Sequence, residues 1–243
     1  MNRVMIVLVA AVALLAGAGP ASADDRYHNY AELAAHKREG IDYLRTAIGP
    51  AGGGPPVAHI AIHGGLIEAG TSELARYAAE KGECTSYTFE GIQPKDNSDD
   101  LHITATRFDE PIGVRVVEQS SYTVSWHGMH DSSPITHIGG RDTALMKKVR
   151  SALERAGFTV ADETPDNING DSPQNIANRN RRGKGVQLEL STGQRRQFFR
   201  DGKLDLDWIE NSSNRTAAFY RYVDAVLSVL PADVAPSEPV PAN

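Results

Sequence analysis

The chain has 243 residues, a formal net charge of −6 and a single cysteine, Cys84. A chain of this length can bury one substantial hydrophobic core, and a single cysteine excludes a disulfide within the chain. The acidic balance argues against general nucleic-acid binding, which requires a basic surface.

Residues 1–23 have the organisation of a secretory signal peptide. Arg3 precedes an apolar run rich in Ala, Val and Leu, and the small-residue pattern A-x-A ends at Ala23. We therefore expect cleavage after Ala23 and a secreted protein without a stable membrane anchor. The alternative is an uncleaved anchor, for which the apolar run is marginal in length.

Residues 24–56 differ from the rest of the chain in composition and in the spacing of their apolar residues. Asp24 to Ile48 is polar, with apolar residues at roughly helical spacing, which predicts a helical segment. The Gly- and Pro-rich stretch from Gly49 to Pro56 predicts a linker. At the other end of the chain, residues 231–243 are rich in proline and poor in apolar residues, which predicts a disordered tail.

Residues 57–230 alternate between short apolar strands and amphipathic helices, which predicts one α/β domain. The strands that precede polar, chemically active side chains are Val57–Ile62, Tyr122–His127 and Gly185–Ser191. The clearest helices are Thr71–Lys81, Asp142–Ala156 and Thr216–Leu230.

The stretch VAHIAIHGGLIEAGTSEL, residues 57–74, places two metal-binding side-chain types in a glycine-rich turn. His63 follows the apolar strand and Glu68 precedes the next helix. Because ligands of α/β proteins usually bind at the carboxyl ends of strands, this pair is a candidate for a metal site. His59 lies in the same alternation as His63, and we expect it to be a hydrogen-bonded core residue or a group that supports the site from behind, rather than a metal ligand.

His127 ends a second apolar strand and is followed by Gly128, in the same placement as His63. Parallel strands can bring two such ends together, so His127 is a candidate for a further ligand. The alternative is a histidine that caps its strand by hydrogen bonding. His102 and His130 are rivals, and His102 ranks lower because it begins its predicted strand.

Glu189 lies within the apolar strand GVQLELS, where a carboxylate is costly unless it has a partner or a function. It is a candidate general base for metal-assisted hydrolysis. The alternative is a buried ion pair with Arg179 or Arg195. The segment NRNRRGKG, from Asn178, gathers four basic residues that would suit an anionic substrate, although such runs are often solvated turns.

Six blocks of sequence occur in a characteristic order between Val57 and Arg200. They are HGGLIEAGTSELA, SYTFEGI, LHITATRFDEP, SWHG, IGGRDTAL and PQNIANRNRRGKGVQLELS. Together they resemble the phage-type poly-γ-glutamate hydrolase family, which is similar in fold to the zinc carboxypeptidases. The resemblance implies a single hydrolase domain over residues 57–230, with a mixed parallel and antiparallel sheet flanked by helices.

The resemblance also implies a zinc ion bound by His63, Glu68 and His127, with Glu189 as the catalytic glutamate. Zinc carboxypeptidases use the spacing H-x-x-E, whereas the chain has a longer spacing between His63 and Glu68. Glu68 is therefore the ligand at which this chain departs from the wider group.

The implied substrate is poly-γ-glutamate or a related γ-glutamyl polymer. Arg179, with Arg107 or Arg182, is expected to bind its carboxylates in a two-pronged geometry. We expect a monomeric enzyme. Two alternatives stay open: a peptidase acting on γ-D-glutamyl bonds of cell-wall peptidoglycan, and a non-catalytic binding module that has kept the fold.

Overall fold

The computed structural model describes residues 25–50 and 56–231, so the predicted signal peptide and residues 232–243 of the predicted tail lie outside the described residues. The strands are β1 (Tyr43–Ile48), β2 (Val57–Gly65), β3 (Thr85–Gly91), β4 (Tyr122–Met129), β5 (Thr136–Gly140) and β6 (Val186–Ser191). The helices are α1 (Tyr30–His36), α2 (Thr71–Lys81), α3 (Asn97–Leu101), α4 (Pro111–Gln119), α5 (Thr143–Arg155), α6 (Thr192–Gln197), α7 (Leu206–Glu210) and α8 (Ala217–Leu227). Across the described ranges, the helices are too short or too polar to traverse a bilayer.

The strands form a six-stranded sheet in the order β1-β3-β2-β4-β6-β5. The four inner strands β3, β2, β4 and β6 run parallel, and the edge strands β1 and β5 are antiparallel to their neighbours. The prediction of an α/β domain with a mixed sheet flanked by helices is confirmed. This arrangement brings the carboxyl ends of β2, β4 and β6 to the same edge of the sheet.

Helices α2, α5 and α8 cover one face of the sheet. Leu74, Val149 and Tyr222 from these helices share a core with Trp126 and Leu188 from the inner strands, and all five are fully buried. Full burial of an apolar side chain of this size stabilises the fold by roughly 1.5–3 kcal/mol.

The opposite face is covered by α1, α4 and the irregular segments around them. Leu33 and Val117 pack there with Phe108 against Ile60 and Phe89 of the inner strands. The sheet is therefore enclosed on both faces, and its carboxyl-end edge is where polar side chains can meet solvent.

The prediction of helix from residue 24 through Ile48 is wrong in its second half. The helix α1 ends at His36, and Tyr43–Ile48 instead pairs with β3 as an edge strand. Tyr43 is buried against Phe89, with ring centroids 5.0 Å apart. Tertiary pairing with β3 has overridden the weak helical spacing, as it often does for short segments.

Two further differences bear on the histidines. His102 follows the last residue of α3 rather than beginning a strand, and residues 102–104 have no strand partner. His137 belongs to β5, a strand that was not predicted from the sequence, and lies directly opposite Glu189 of β6. A proline precedes the short strand β5, and Gly139-Gly140 end it. Because these residues are typical of turns, the sequence pattern did not indicate a strand there.

Candidate metal centre

The strand β2 contains an irregularity just before it reaches the candidate site. Ala61 pairs with Thr88 of β3, but Gly64 pairs with Glu90, so β2 carries an extra residue between these two positions. Such a bulge changes the direction of the side chains that follow it. Ala61 packs in the layer of α2, α5 and α8, whereas His63 is directed to the other face, where its Nε2 donates to the carbonyl of Ile103 at 2.9 Å.

The bulge also separates His59 from the site. His59 is fully buried on the α2 side of the sheet, and its Nδ1 accepts a hydrogen bond from Trp126 Nε1 at 3.2 Å. Burial lowers the pKa of His59 to about 3, so it is a neutral core residue. His59 is thus a hydrogen-bonded core residue, as one of the two expectations had it, but the expectation that it shares a face with His63 is wrong, because the alternation is broken between Ala61 and Gly64.

The turn after β2 brings Glu68 back to His63. The Glu68 amide donates to the carbonyl of His63 at 2.8 Å, and its Oε1 lies 3.0 Å from His63 Nδ1. Gly65 has a φ of +60°, and a Cβ at this position would lie 2.4 Å from the carbonyl oxygen of Gly91. Glycine is required for so close an approach between the turn and β3.

His127, near the carboxyl end of β4, completes the cluster. Its Nδ1 lies 3.1 Å from His63 Nδ1 and 3.4 Å from Glu68 Oε2. The Gly128 amide donates to Glu68 Oε2 at 2.8 Å, and Ser125 Oγ lies 2.8 Å from His127 Nε2. One ligand atom from each of His63, Glu68 and His127 lies within 4.8 Å of the others, so the three could hold a metal ion.

The protonation states of the cluster favour a cation between its members. His63 Nε2 donates to a carbonyl, and burial lowers the pKa of His63 to about 4, so its Nδ1 carries a free lone pair. Burial alone would raise the pKa of Glu68, but the interactions with His63 and His127 outweigh it and hold the pKa well below the usual value. Burial lowers the pKa of His127, but Glu189 and Glu68 reverse this and leave it raised. The two carboxylates therefore favour the protonated form of His127.

Glu189 lies beside this cluster on the neighbouring strand. It is the register partner of His127 across β4 and β6, and its Oε1 accepts from Gln187 Nε2 at 2.7 Å. Burial raises the pKa of Glu189 to about 7, although the charge of His127 opposes the rise. Among the ion pairs of the described residues, none joins Glu189 to Arg179 or Arg195. The buried ion pair that was the alternative for Glu189 is therefore not formed.

Arg195 has a different position, which the sequence pattern did not reveal. It is buried behind Gly128 and donates to the carbonyls of Ala69 at 2.9 Å and Met129 at 3.3 Å. A Cβ on Gly128 would lie 2.7 Å from the guanidinium carbon. Arg195 thus ties the turn that carries Glu68 to the end of β4.

The chain is similar to known proteins over most of its length. A family model for poly-γ-glutamate hydrolase matches residues 27–225. The chain belongs to the poly-γ-glutamate hydrolase family. The match includes the whole of the cluster, its supporting strands and the helices on both faces of the sheet.

Curated relatives and solved structures are similar to this member of the poly-γ-glutamate hydrolase family over most of its length. YmaC of Bacillus subtilis is 34% identical over 215 residues, which are 87% of this chain and 86% of YmaC. YndL of the same organism is 38% identical over 178 residues, which are 73% of this chain and 68% of YndL. The structure of a bacteriophage poly-γ-glutamate hydrolase superposes with a TM-score of 0.79 at 32% identity, covering 85% of this chain and 96% of the phage chain. A zinc-free form of YndL gives 0.77 at 34% identity, covering 85% and 97%.

One of the arginines expected to bind substrate, Arg182, lies far from the cluster. Its guanidinium stacks 3.9 Å from the ring centroid of Tyr122 and pairs with Asp142 at 2.7 Å. Tyr122 begins β4, and His127 lies about 17 Å further along that strand, at about 3.3 Å per residue. The expectation that Arg182 binds substrate at the cluster does not fit this geometry.

Arg179 also lies at the amino-end side of the strands. It pairs with Glu118, in the last turn of α4, at 3.3 Å and is not brought to the cluster. Arg107 is different: its Nη2 pairs with Asp25 at 2.8 Å, and Asp25 in turn contacts His102. Of the three arginines, the structure brings Arg107 closest to the cluster through its contacts.

The rival histidines do not join His63, Glu68 and His127. The His102 ring packs against the His63 ring at a tilt of 33°, with ring centroids 3.9 Å apart, and His102 Nδ1 bonds to Asp25. His130 is exposed in the loop after β4. Strand-end placement in the sequence indicated His63 and His127, and the turn before the next helix indicated Glu68, but only the tertiary structure shows that His102 lies beside them.

Proposed function

We propose that this protein is a secreted zinc-dependent hydrolase that cleaves γ-glutamyl amide bonds of poly-γ-glutamate. The observation that carries the proposal is the convergence of His63, Glu68 and His127 beside the buried carboxyl group of Glu189, in a chain of the poly-γ-glutamate hydrolase family. Secretion is supported by the sequence of residues 1–23. A zinc-free form described for the relative YndL supports the choice of metal.

The donor set fits zinc. Two imidazole nitrogens and one carboxylate oxygen are ligands that catalytic zinc commonly takes from proteins, with a further position left open. His63 has the tautomer that a ligand needs, because the carbonyl of Ile103 holds the proton on its other nitrogen. His63 Nδ1 and Glu68 Oε1 lie 3.0 Å apart, close enough for both to bind one cation between them.

When bound, zinc would supply a Lewis acid that polarises an amide carbonyl and acidifies water. Glu189 would then accept a proton from the attacking water at a carboxylate oxygen and deliver it to the leaving amide nitrogen. Its pKa of about 7 suits both steps, because the group can gain and lose a proton near neutral pH. Gln187, which donates to Glu189 Oε1, would hold the carboxylate in one orientation.

Substrate carboxylates would be bound by Arg107. Its side chain is 40% exposed, with Nη2 paired with Asp25 at 2.8 Å and Nη1 bonded to His28 Nδ1 at 2.9 Å, so the guanidinium is oriented and its remaining N–H groups are left for solvent or substrate. A charge-assisted hydrogen bond of this kind contributes about 1.5–3 kcal/mol. Of the three arginines considered from the sequence, Arg107 is therefore the one that we assign to binding substrate carboxylates.

The test is hydrolysis by zinc-loaded protein of poly-γ-glutamate and, separately, of purified peptidoglycan, followed by mass analysis of the products. Poly-γ-glutamate is expected to be shortened. Cleavage of peptidoglycan alone would support the cell-wall peptidase, and cleavage of neither would support a binding module.

Variants connect this activity with the site. Glu189→Gln should retain zinc but lose about 10²–10⁴-fold in kcat, since it removes only the proton acceptor. Glu163→Gln, which changes an exposed carboxylate, serves as the matched control. His63→Ala and His127→Ala should lower the zinc-to-protein ratio, whereas His130→Ala should not. A normal ratio in the first two variants would reject the ligand assignment.

A further inference from the structure

Asp25 is a carboxylate at the beginning of the described chain whose side chain is completely buried. It accepts hydrogen bonds from the Thr104 amide at 2.7 Å and from His102 Nδ1 at 2.7 Å, and it pairs with Arg107 at 2.8 Å. A fully buried carboxylate is tolerated because these three donors satisfy it. The unusual feature is that all three belong to one short segment, residues 102–107.

That segment carries a direct hydrogen-bond partner of the candidate metal ligand. The Ile103 carbonyl accepts from His63 Nε2 at 2.9 Å, and the His102 ring lies on the His63 ring. Asp25 binds the residues on both sides of Ile103. Because residues 102–104 belong to neither helix nor strand, no ladder of backbone hydrogen bonds holds them in place.

We propose that Asp25 is a positioning residue that sets the orientation of His63 for metal binding. Asp25 fixes His102 and Thr104, these fix the Ile103 carbonyl, and that carbonyl holds the proton on His63 Nε2 and the lone pair on Nδ1. The inference rests on the proposed role of His63 as a zinc ligand. Asp25 precedes residues 27–225, to which the family match extends, so the match assigns it no role.

The competing explanation is that Asp25 only anchors the N-terminal segment to the domain. Asp100 provides a matched control for this explanation. It also binds the N-terminal segment, through Arg26 and through Lys37 Nζ at 2.6 Å, but its other bond is to Gln93 and not to residues 102–104. Loss of Asp100 therefore loosens the same segment without releasing the Ile103 carbonyl.

The experiment measures zinc affinity by competition with a chromophoric chelator, at a temperature where every variant is folded by circular dichroism. The proteins are wild type, Asp25→Ala, Asp25→Asn and Asp100→Asn. Removal of groups that orient a metal-binding histidine typically weakens metal binding 10–100-fold, and we expect about tenfold for Asp25→Ala. Asp25→Asn keeps an oxygen for the Thr104 amide but loses the charge that pairs with Arg107, so an intermediate loss is expected. If Asp25→Ala does not fold, the zinc affinity of Asp25→Asn, compared with wild type and Asp100→Asn, still tests the inference.

Asp100→Asn should bind zinc as tightly as wild type even if it melts at a lower temperature. Wild-type affinity in both Asp25 variants would overturn the inference, as would an equal loss in Asp25→Asn and Asp100→Asn. A wild-type protein that binds no zinc would instead overturn the proposed function, and the inference with it.

Discussion

Glu73 provides a sharp test of how burial shapes the energetics of this fold. It lies in the first turn of α2, is 1% exposed, and both of its carboxylate oxygens lack a hydrogen-bond partner among the described residues. Arg76 Nη1 is 3.8 Å from Glu73 Oε1, and Arg76 also binds Glu90. Burial raises the pKa of Glu73 from 4.5 to about 7, with Arg76 lowering it only in part.

The sign of the resulting pH dependence follows from linkage. Since the folded protein holds this proton more tightly than the unfolded chain, the free energy of unfolding falls as the pH rises from about 4.5 to about 7. A pKa difference of this size corresponds to a loss of up to about 3 kcal/mol. Glutamine has nearly the same shape and no charge, so Glu73→Gln should abolish this part of the pH dependence.

The assay is urea unfolding of zinc-free protein at about pH 4.5 and about pH 8. The stability of Glu73→Gln relative to wild type should rise by up to about 3 kcal/mol between these two values. Comparing the two pH values cancels the constant effect of burying an amide. Glu80→Gln, at an exposed position of the same helix, should show no such rise. A relative stability of Glu73→Gln that does not change with pH would refute the reasoning.

Three further predictions concern the site. Gly128→Ala should destabilise the protein by about 1–3 kcal/mol and weaken zinc binding, because the new Cβ would meet the hydrogen-bonded guanidinium of Arg195; thermal denaturation and chelator competition measure the two effects. Arg107→Ala should raise KM for poly-γ-glutamate about tenfold, whereas Arg182→Ala should change kcat/KM by less than about twofold; steady-state kinetics that reverse this order would contradict the placement of both residues. Zinc affinity should fall as the pH is lowered towards about 6, because the raised pKa of His127 lets a proton compete for the ligand nitrogen; a chelator titration that is flat with pH would reject this.

The sequence contained enough to predict which residues cluster, because strand-end placement depends on a general property of parallel sheets. His63 and His127 each end an inner strand, and the carboxyl ends of such strands meet at one edge. Glu189 could be found because a carboxylate in an apolar strand is unusual whatever its surroundings. The local pattern was sufficient in these cases since each signal is contained within a few residues.

What could not be predicted depends on contacts between distant segments. The basic loop with Arg179 and Arg182 has the charge expected of a substrate site, but charge pattern does not indicate at which end of the sheet a loop lies. The pairing of Tyr43–Ile48 with β3 is likewise invisible in its own weak alternation. The contact between Asp25 and His102 joins residues that are far apart in the chain, so no local sequence pattern indicates it.

Because of the bulge in β2, the side chains of His59 and His63 face opposite sides of the sheet. His59, before the bulge, serves as a neutral core residue against Trp126, and His63, after it, belongs to the candidate metal centre. The alternation of the strand changes phase between them, and the change is made by one residue. If β2 ran without the bulge, its regular alternation would direct the imidazole of His63 to the same face as Ala61, towards the helices. One extra backbone residue in β2, and not the identity of the ligands alone, therefore determines that His63 reaches the candidate centre.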